Sequence, residues 1–570
     1  MLRGAEKGIL KDIQKDSIWW RVHQELIRRA DECCQTPYRL LERKMEGKRL
    51  LGVSREALRR IFLCSYAYRM THEQKFLAYS RAELVNVCKF SDWNPSHFLD
   101  VAEMTLAVSI GYDWLYDKLT PQERQMLTES IVELGLKPSY ANKKDLWWID
   151  TDNNWNQVCH AGMLYGALAT WENDSQLSAD VVNRAIEKLP LAMIGYAPQG
   201  VYPEGTGYWD YGTSFNVLAL EAMEQIFHTD FRLKETPGFM QTGQYITHLT
   251  TPSLAAFCYS DNGTTIHSMP TALWFYRQTG DESILYNQKR IMHRRNPEDM
   301  AIDRLAPTAI LWGHDMHISQ LSAPKALSWT GDGINPIYVC RSGWSYDDAF
   351  LGMKCGLPAS NHAHMDEGSF IYESHGVKWA MDLGGEVYNN LEQAGLGIWN
   401  AKQNSDRWTI YRYNNWAHNT LTFDDQLQVV GGKVEFQERQ VDFPGFAKAD
   451  LTPVYKGQVS EVVRTCSLQG MDDLTVQDRI VTLNRPTRVT WTLMTEATPQ
   501  ITDKHTVVLQ KGPHKLQIQM SGIVGGEWIA EPATPARSIE NQNKGITRLR
   551  FTAELPASST TTLTATLKKP

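Results

Sequence analysis

The chain has 570 residues, a formal net charge of −7, 42% hydrophobic residues and 22% charged residues. That length is too great for one ordinary core, so two or three globular domains are expected. The negative balance argues against a nucleic-acid partner, and no apolar run approaches the roughly 20 residues that cross a bilayer.

The opening residues, Met1 to Lys7, lack the hydrophobic segment of a signal peptide. Nine cysteines, odd in number and irregular in spacing with no CxxC pair, suggest neither a disulfide framework nor a cysteine metal site. The vicinal pair Cys33-Cys34 reads as two reduced thiols. Aromatic residues stand out, with 19 Trp and 23 Tyr. Many adjoin polar groups, as in Trp147-Trp148-Ile149-Asp150, Tyr208-Trp209-Asp210-Tyr211 and Tyr411-Arg412-Tyr413. Flat rings with polar tips suit the faces of sugars, and large helical cores use them as well.

The first part of the chain, to about residue 310, reads as helices. From Phe98 to Lys118, apolar residues recur at Leu99, Ala102, Leu106, Ile110 and Trp114, close to a 3.6-residue period. Thr120-Pro121-Gln122-Glu123 then supplies an N-cap, a proline at the first helical position and a capping-box Glu. Met126, Leu127, Ile131 and Leu134 continue as the next stripe. Further helices are predicted over 156–171, 179–193 and 213–228. The first of these carries Ala161, Gly162, Gly166 and Ala167, small residues suited to close helix contact. Successive helical hairpins without a fixed-period repeat favour an α/α toroid, closed or partly closed, over a solenoid.

From about residue 335 the vocabulary changes to strands. Leu516, Ile518 and Met520 alternate with Lys515, Gln517 and Gln519, and Val489–Leu493 and Val507–Leu509 are strand-like, with turn signals between. The expected fold class is α+β and multidomain: an N-terminal α/α toroid, an incomplete barrel, over residues 1–320, then an antiparallel β-sandwich over 321–570. The join falls around Ala306–Asn335. Ser558–Thr564 reads as a last edge strand or a frayed tail.

Within the second part, Asn361-His362-Ala363-His364-Met365-Asp366-Glu367-Gly368-Ser369-Phe370 carries two histidines and two acids. Read as a strand, it would put His362, His364 and Asp366 on one face. Trp379-Ala380-Met381-Asp382-Leu383-Gly384 follows, and His418 stands in another strand-like stretch, Trp416–Phe423. Titratable groups crowded on one face are costly unless hydrogen-bonded, metal-bound or solvated at a site. In the helical part, Asp150–Gln157 with Asn153-Asn154, and the Gly-rich segment Val201–Tyr211, read as loops leading into helices.

Taken in order, the Asn-Asn segment, the Gly-Tyr-x-x-Tyr loop, the His-x-His-x-Asp-x-Gly-Ser-Phe segment, the downstream Asp-x-Gly and the final His-Asn-Thr span nearly the whole chain. Together they resemble the heparinase II/III-like polysaccharide lyase superfamily, including the related alginate lyases, in which an α/α toroid precedes an antiparallel β-sandwich. The resemblance implies β-elimination on a uronic-acid-containing polysaccharide, giving a 4,5-unsaturated sugar. It implies Tyr208 as the acid, or as both acid and base. His362 is then the base, or the group that tunes that tyrosine, and Asn154 neutralises the substrate carboxylate. Tyr211 is similar to a substrate-contacting tyrosine. In several relatives the second Asn is followed by a histidine that helps take the proton; here that place is Trp155, and His160 is a candidate substitute. Arg412, between two tyrosines, is the basic group expected to meet an anionic chain.

By the same resemblance, His364, Asp382 and His418 match a set of zinc ligands, with the ion bracing the site rather than activating water. Two imidazoles and a carboxylate with an open position are a normal zinc set; the alternative is a metal-free His–Asp–His network. Asp366 is expected as a hydrogen-bonding neighbour rather than a ligand. No organic cofactor, nucleic-acid partner or membrane insertion is expected. The partner is an anionic polysaccharide or oligosaccharide, and relatives of this kind imply a periplasmic or secreted location. Two other readings remain: a glycoside hydrolase on an α/α toroid using paired carboxylates such as Glu204, Asp210 or Asp152, and a non-catalytic polysaccharide-binding protein.

Overall fold

The computed structural model describes residues 4–141, 143–294 and 301–570. Met1, Leu2 and Arg3 of the N-terminal segment lie outside the described residues. The chain forms two compact units. The first gathers Met1–Gly195, Tyr208–Gly243 and His267–Ser322, and the second Tyr196–Gly207, Gln244–Ile266 and Ala323–Pro570. Two short segments of the helical half therefore pack with the β-rich half. No helix among the described residues is long and apolar enough to cross a membrane. None of the nine cysteines is paired in a disulfide.

The first unit is helical. Its helix Phe98–Leu115 is buried on nearly every side, including Asp100 and Glu103. The stripe read from the sequence is thus one face of a helix that is apolar almost all round, which is what a central helix requires. The expected capping box forms at Thr120 and Glu123, with Pro121 at the first helical position. The helix Asn154–Ala169 packs on Phe98–Leu115 through its small residues. An added methyl at Gly162 would stand 2.4 Å from the Ala102 carbonyl oxygen, so only hydrogen fits there. The helix Ser175–Met193 follows.

The next long helix, Thr206–Phe227, starts seven residues before the expected 213, so Tyr208 and Tyr211 lie in its first turns rather than in a loop. The cause lies in the second unit, where the Asn262 side chain accepts from the Gly207 N–H at 2.7 Å and donates to Thr206 Oγ1 at 2.7 Å. A helix start needs such partners for its orphan N–H groups. Just before it, Gly205 has φ +90° and no room for a side chain beside Asn262 and the Tyr259 carbonyl.

The strands of the second unit form antiparallel sheets. β1 (Ser328–Gly331), β2 (Ile337–Arg341), β3 (Phe350–Lys354), β4 (Phe370–Ser374) and β5 (Val377–Ala380) form one sheet in that order. A four-stranded sheet runs Glu527–Pro532, Thr547–Leu555, Thr487–Thr495, Leu421–Phe423, and an eight-stranded sheet runs from Phe436–Arg439 at one edge to Thr498–Ile501 at the other. Leu351, Phe370 and Trp379 share a core with Trp491 and Phe551 of the second sheet and with Leu474 and Leu516 of the third. The alternation around 516–520 is borne out, with Leu516, Ile518 and Met520 inward. The Thr-rich end is neither an edge strand nor a tail: Thr560–Lys568 pairs on both sides, with Asp473–Val481 and with His514–Ser521.

Candidate functional site

In the second unit, the His-x-His-x-Asp segment is not a strand. Residues 361–369 form a turn-rich loop feeding β4, and His362 sits in the left-handed region at φ 58°. The two histidines still converge, because both reach Asp261, whose side chain is fully buried. His362 Nδ1 lies 3.1 Å from Asp261 Oδ2, and His364 Nε2 lies 3.0 Å from Oδ1. Arg407 Nη2 donates to Asp261 Oδ2 at 3.0 Å and to the Ala363 carbonyl at 2.7 Å. Burial alone would raise the Asp261 carboxyl, but Arg407 and the two histidines outweigh it and hold it well below the usual carboxylate range.

The outer side of His362 is polar and aromatic. Tyr388 Oη lies 2.9 Å from His362 Nδ1, with the two rings stacked. Trp399, half exposed, stands edge-on to both. His362 Nε2 points toward Glu204, 3.9 Å away, and Glu204 accepts from the Asn361 amide at 3.2 Å.

His364, Asp382 and His418 come together, all buried, each offering a ligand atom within 4.8 Å of the others. His418 Nδ1 is 2.8 Å from Asp382 Oδ2, and its Nε2 is 2.9 Å from the Arg412 carbonyl. A carbonyl only accepts, so Nε2 carries the proton, and Nδ1 faces the carboxylate through either a second proton or a cation. His364 Nδ1 is buried and meets no hydrogen-bond partner among the described residues. An orphan imidazole nitrogen beside a carboxylate, with both rings donating from their far nitrogens, fits a divalent cation. His418 titrates above its ordinary value, because the Asp382 charge and hydrogen bond outweigh burial. His364 titrates below it, because burial outweighs its bond to Asp261. Asp366 takes the neighbouring role expected of it, paired at 2.5 Å with buried Lys354, which also binds Glu367 at 2.6 Å.

In the first unit, Asn153 caps the Asn154–Ala169 helix by accepting from the Trp155 N–H at 3.1 Å. Asn154 therefore stands at the first helical position and is buried. Trp155, partly exposed, packs against Trp147 at 4.7 Å and edge-on to His97 at 4.8 Å, with Trp147 half exposed. Tyr208 is partly exposed in the first turn of its helix. Tyr211 Oη donates to Glu103 Oε1 at 2.8 Å, and the guanidinium groups of Arg55 and Arg304 lie 4.8 and 5.2 Å from its ring centre. Burial alone would raise the Glu103 carboxyl, but those two arginines bring it below its ordinary value.

Two residues expected as substrate contacts, His160 and Arg412, make hydrogen bonds within their own units. His160 is 1% exposed, donates from Nδ1 to the Asn156 carbonyl at 2.8 Å and packs edge-on against Trp148. Burial, reinforced by Arg184, pulls it down to about 3, so it is a neutral packing residue of the helix. Arg412 spends its guanidinium inside the protein, donating to the Gly385 carbonyl at 2.6 Å and to Asn543 Oδ1 at 2.6 and 3.0 Å, with Glu386 at 3.5 Å. Arg407 is the arginine beside the histidines. Sequence reasoning missed it, together with Asp261, Tyr388 and Trp399. Asp261-Asn262-Gly263 has the composition of a solvated turn, and only its distant partners show otherwise.

Residues 337–564 match the family model described as Heparinase II/III-like, C-terminal. No curated protein matches the sequence. Among solved structures, a heparinase III is 12% identical with a TM-score of 0.66, the match covering 96% of this chain and 85% of that one. A heparan sulfate lyase HepC from Pedobacter heparinus is 13% identical with a TM-score of 0.59, covering 95% and 83%. At these identities the likeness is one of fold, and it bears out the toroid followed by a β-sandwich read from the sequence.

Proposed function

We propose that the protein is a polysaccharide lyase, cleaving a uronic-acid-containing anionic polysaccharide by β-elimination to leave 4,5-unsaturated ends. The observation that carries this reading is the constellation of His362, His364, Asp382 and His418 inside a heparinase II/III-like domain. Elimination removes the C5 proton of the uronate and expels the C4 oxygen. The C5 proton is weakly acidic until the adjacent carboxylate is neutralised, and an amide donor such as Asn154 does this without adding a competing base. One preorganised donor to a developing oxyanion is worth about 3 kcal/mol in comparable sites.

Tyr208 is assigned as the acid for the leaving oxygen, or as both acid and base, and His362 as the base or the group that tunes Tyr208. General acid–base steps contribute roughly 10²–10⁴-fold each. Trp155 and Tyr211 are assigned to substrate contact. The Tyr211 hydroxyl is committed to Glu103, so that contact falls to its ring. His364, Asp382 and His418 would hold a zinc ion, which supplies fixed positive charge and braces the loop; elimination needs no nucleophile from it. A periplasmic or secreted location goes with this reading.

The test is the mass of the products. Elimination gives fragments one water lighter than hydrolysis does. Fragments carrying that extra water would replace this reading with a glycoside hydrolase, and binding without cleavage would leave a polysaccharide-binding protein.

A further inference from the structure

Asp261 has no counterpart in the roles assigned above, yet its carboxylate touches both histidines of the His-x-His pair. Its Oδ1 faces His364 Nε2 at 3.0 Å, and its Oδ2 faces His362 Nδ1 at 3.1 Å and Arg407 Nη2 at 3.0 Å. Its backbone N–H donates to the His362 carbonyl at 2.9 Å, so the loop is anchored from both ends of the residue. An ionised carboxylate only accepts hydrogen bonds. Both imidazoles must therefore turn an N–H toward it, and they do so with opposite nitrogens.

We propose that Asp261 is a positioning residue that sets opposite tautomers on the two histidines, leaving Nδ1 of His364 unprotonated for a cation and Nε2 of His362 unprotonated for proton abstraction. This rests on the reading of His362 as base and of His364, Asp382 and His418 as a cation site. The geometry agrees on both sides. His364 Nδ1 is the orphan atom beside Asp382 and His418. On His362, the Nδ1–H faces both Asp261 and the Tyr388 oxygen at 2.9 Å, and Glu204 lies 3.9 Å from Nε2. One buried carboxylate thus ties the orientation of a metal ligand to that of the residue two positions before it.

Asp261→Asn keeps the shape and changes the proton pattern. Arg407 requires an oxygen on its side of the amide, which leaves the –NH₂ facing His364 Nε2. His364 must then carry its proton on Nδ1, the atom offered to the cation. Titration with Zn²⁺ against a chelating dye should show binding weakened tenfold or more, within the 10–100-fold range for such outer partners. The gap between zinc-loaded and zinc-free melting temperatures should close accordingly, whereas a merely structural role would lower both together. In the unsubstituted protein, nitrogen-15 NMR should show His362 as the Nδ1–H tautomer, identified by the signal lost in His362→Gln. That measurement decides even if Asp261→Asn fails to fold. Zinc affinity within twofold of the parent, or an Nε2–H tautomer at His362, would overturn the proposal. Neither readout uses a polysaccharide, so failure of the lyase reading is seen separately.

Discussion

Gly162→Ala should destabilise the helical unit although alanine is the better helix former. The new methyl would lie 2.4 Å from the Ala102 carbonyl oxygen and 2.8 Å from two further Ala102 backbone atoms. That is about 1 Å short of ordinary contact, and the obstacle is backbone of the central helix, which cannot step aside by changing rotamer. Overpacking of this kind costs about 1–3 kcal/mol, against a gain of about 1 kcal/mol in helix propensity. The upper end applies here, for a net loss of about 2 kcal/mol. Gly166→Ala meets side chains instead, Thr105 Cγ2 at 2.7 Å and Leu136 Cδ2 at 2.9 Å, so its loss should be smaller. Gly8, in the helix Glu6–Ile13, has nothing within 4 Å, and Gly8→Ala should be neutral or stabilising. Thermal unfolding followed by circular dichroism should rank the three in that order, at about 2 °C per kcal/mol for a unit of this size. A Gly162→Ala protein melting at or above Gly8→Ala would refute the close-packing argument.

Arg412→Ala should lower the melting temperature by removing the ties to Gly385 and Asn543, and should leave KM for an anionic substrate within about threefold, a kinetic difference well under 1.4 kcal/mol; a large KM rise at unchanged stability would contradict its placement. His160 stays neutral in the folded state down to about pH 3, whereas in the unfolded chain it takes up a proton near its ordinary value. Its contribution therefore falls as pH drops below about 6.5, by about 2 kcal/mol between pH 6.5 and 5. His160→Gln should remove that part of the pH dependence in denaturant titrations at pH 7 and pH 5; parallel losses would show otherwise. Zinc at a hundred times its dissociation constant should stabilise the β-rich unit by about 2.7 kcal/mol, read as a rise in melting temperature that Asp382→Asn abolishes.

The order of helices and strands was legible because both periodicities are strong, and the Thr120–Glu123 cap was legible because it is local. The early start of the Thr206–Phe227 helix was not, because its partner, Asn262, lies 55 residues away. The His-x-His segment was read with the right residues and the wrong backbone: alternation implies a strand, yet the side chains converge through a turn and a shared aspartate. His364, Asp382 and His418 met as their types and order suggested. The hydrogen bonds of Arg412 were not legible, because flanking tyrosines do not reveal that its guanidinium meets a carbonyl and an amide in distant loops. Arg407 and Asp261 were invisible for the same reason, each defined by contacts far along the chain.

The lyase reading is tested most directly by ultraviolet absorbance during incubation with a panel of uronic-acid polysaccharides, run with the parent protein and with Tyr208→Phe. A new conjugated double bond should make the absorbance climb on at least one polymer, and the Tyr208→Phe protein, equally folded, should be slower by roughly 10²-fold or more. Reducing ends appearing without that absorbance, or undiminished turnover in Tyr208→Phe, would contradict it.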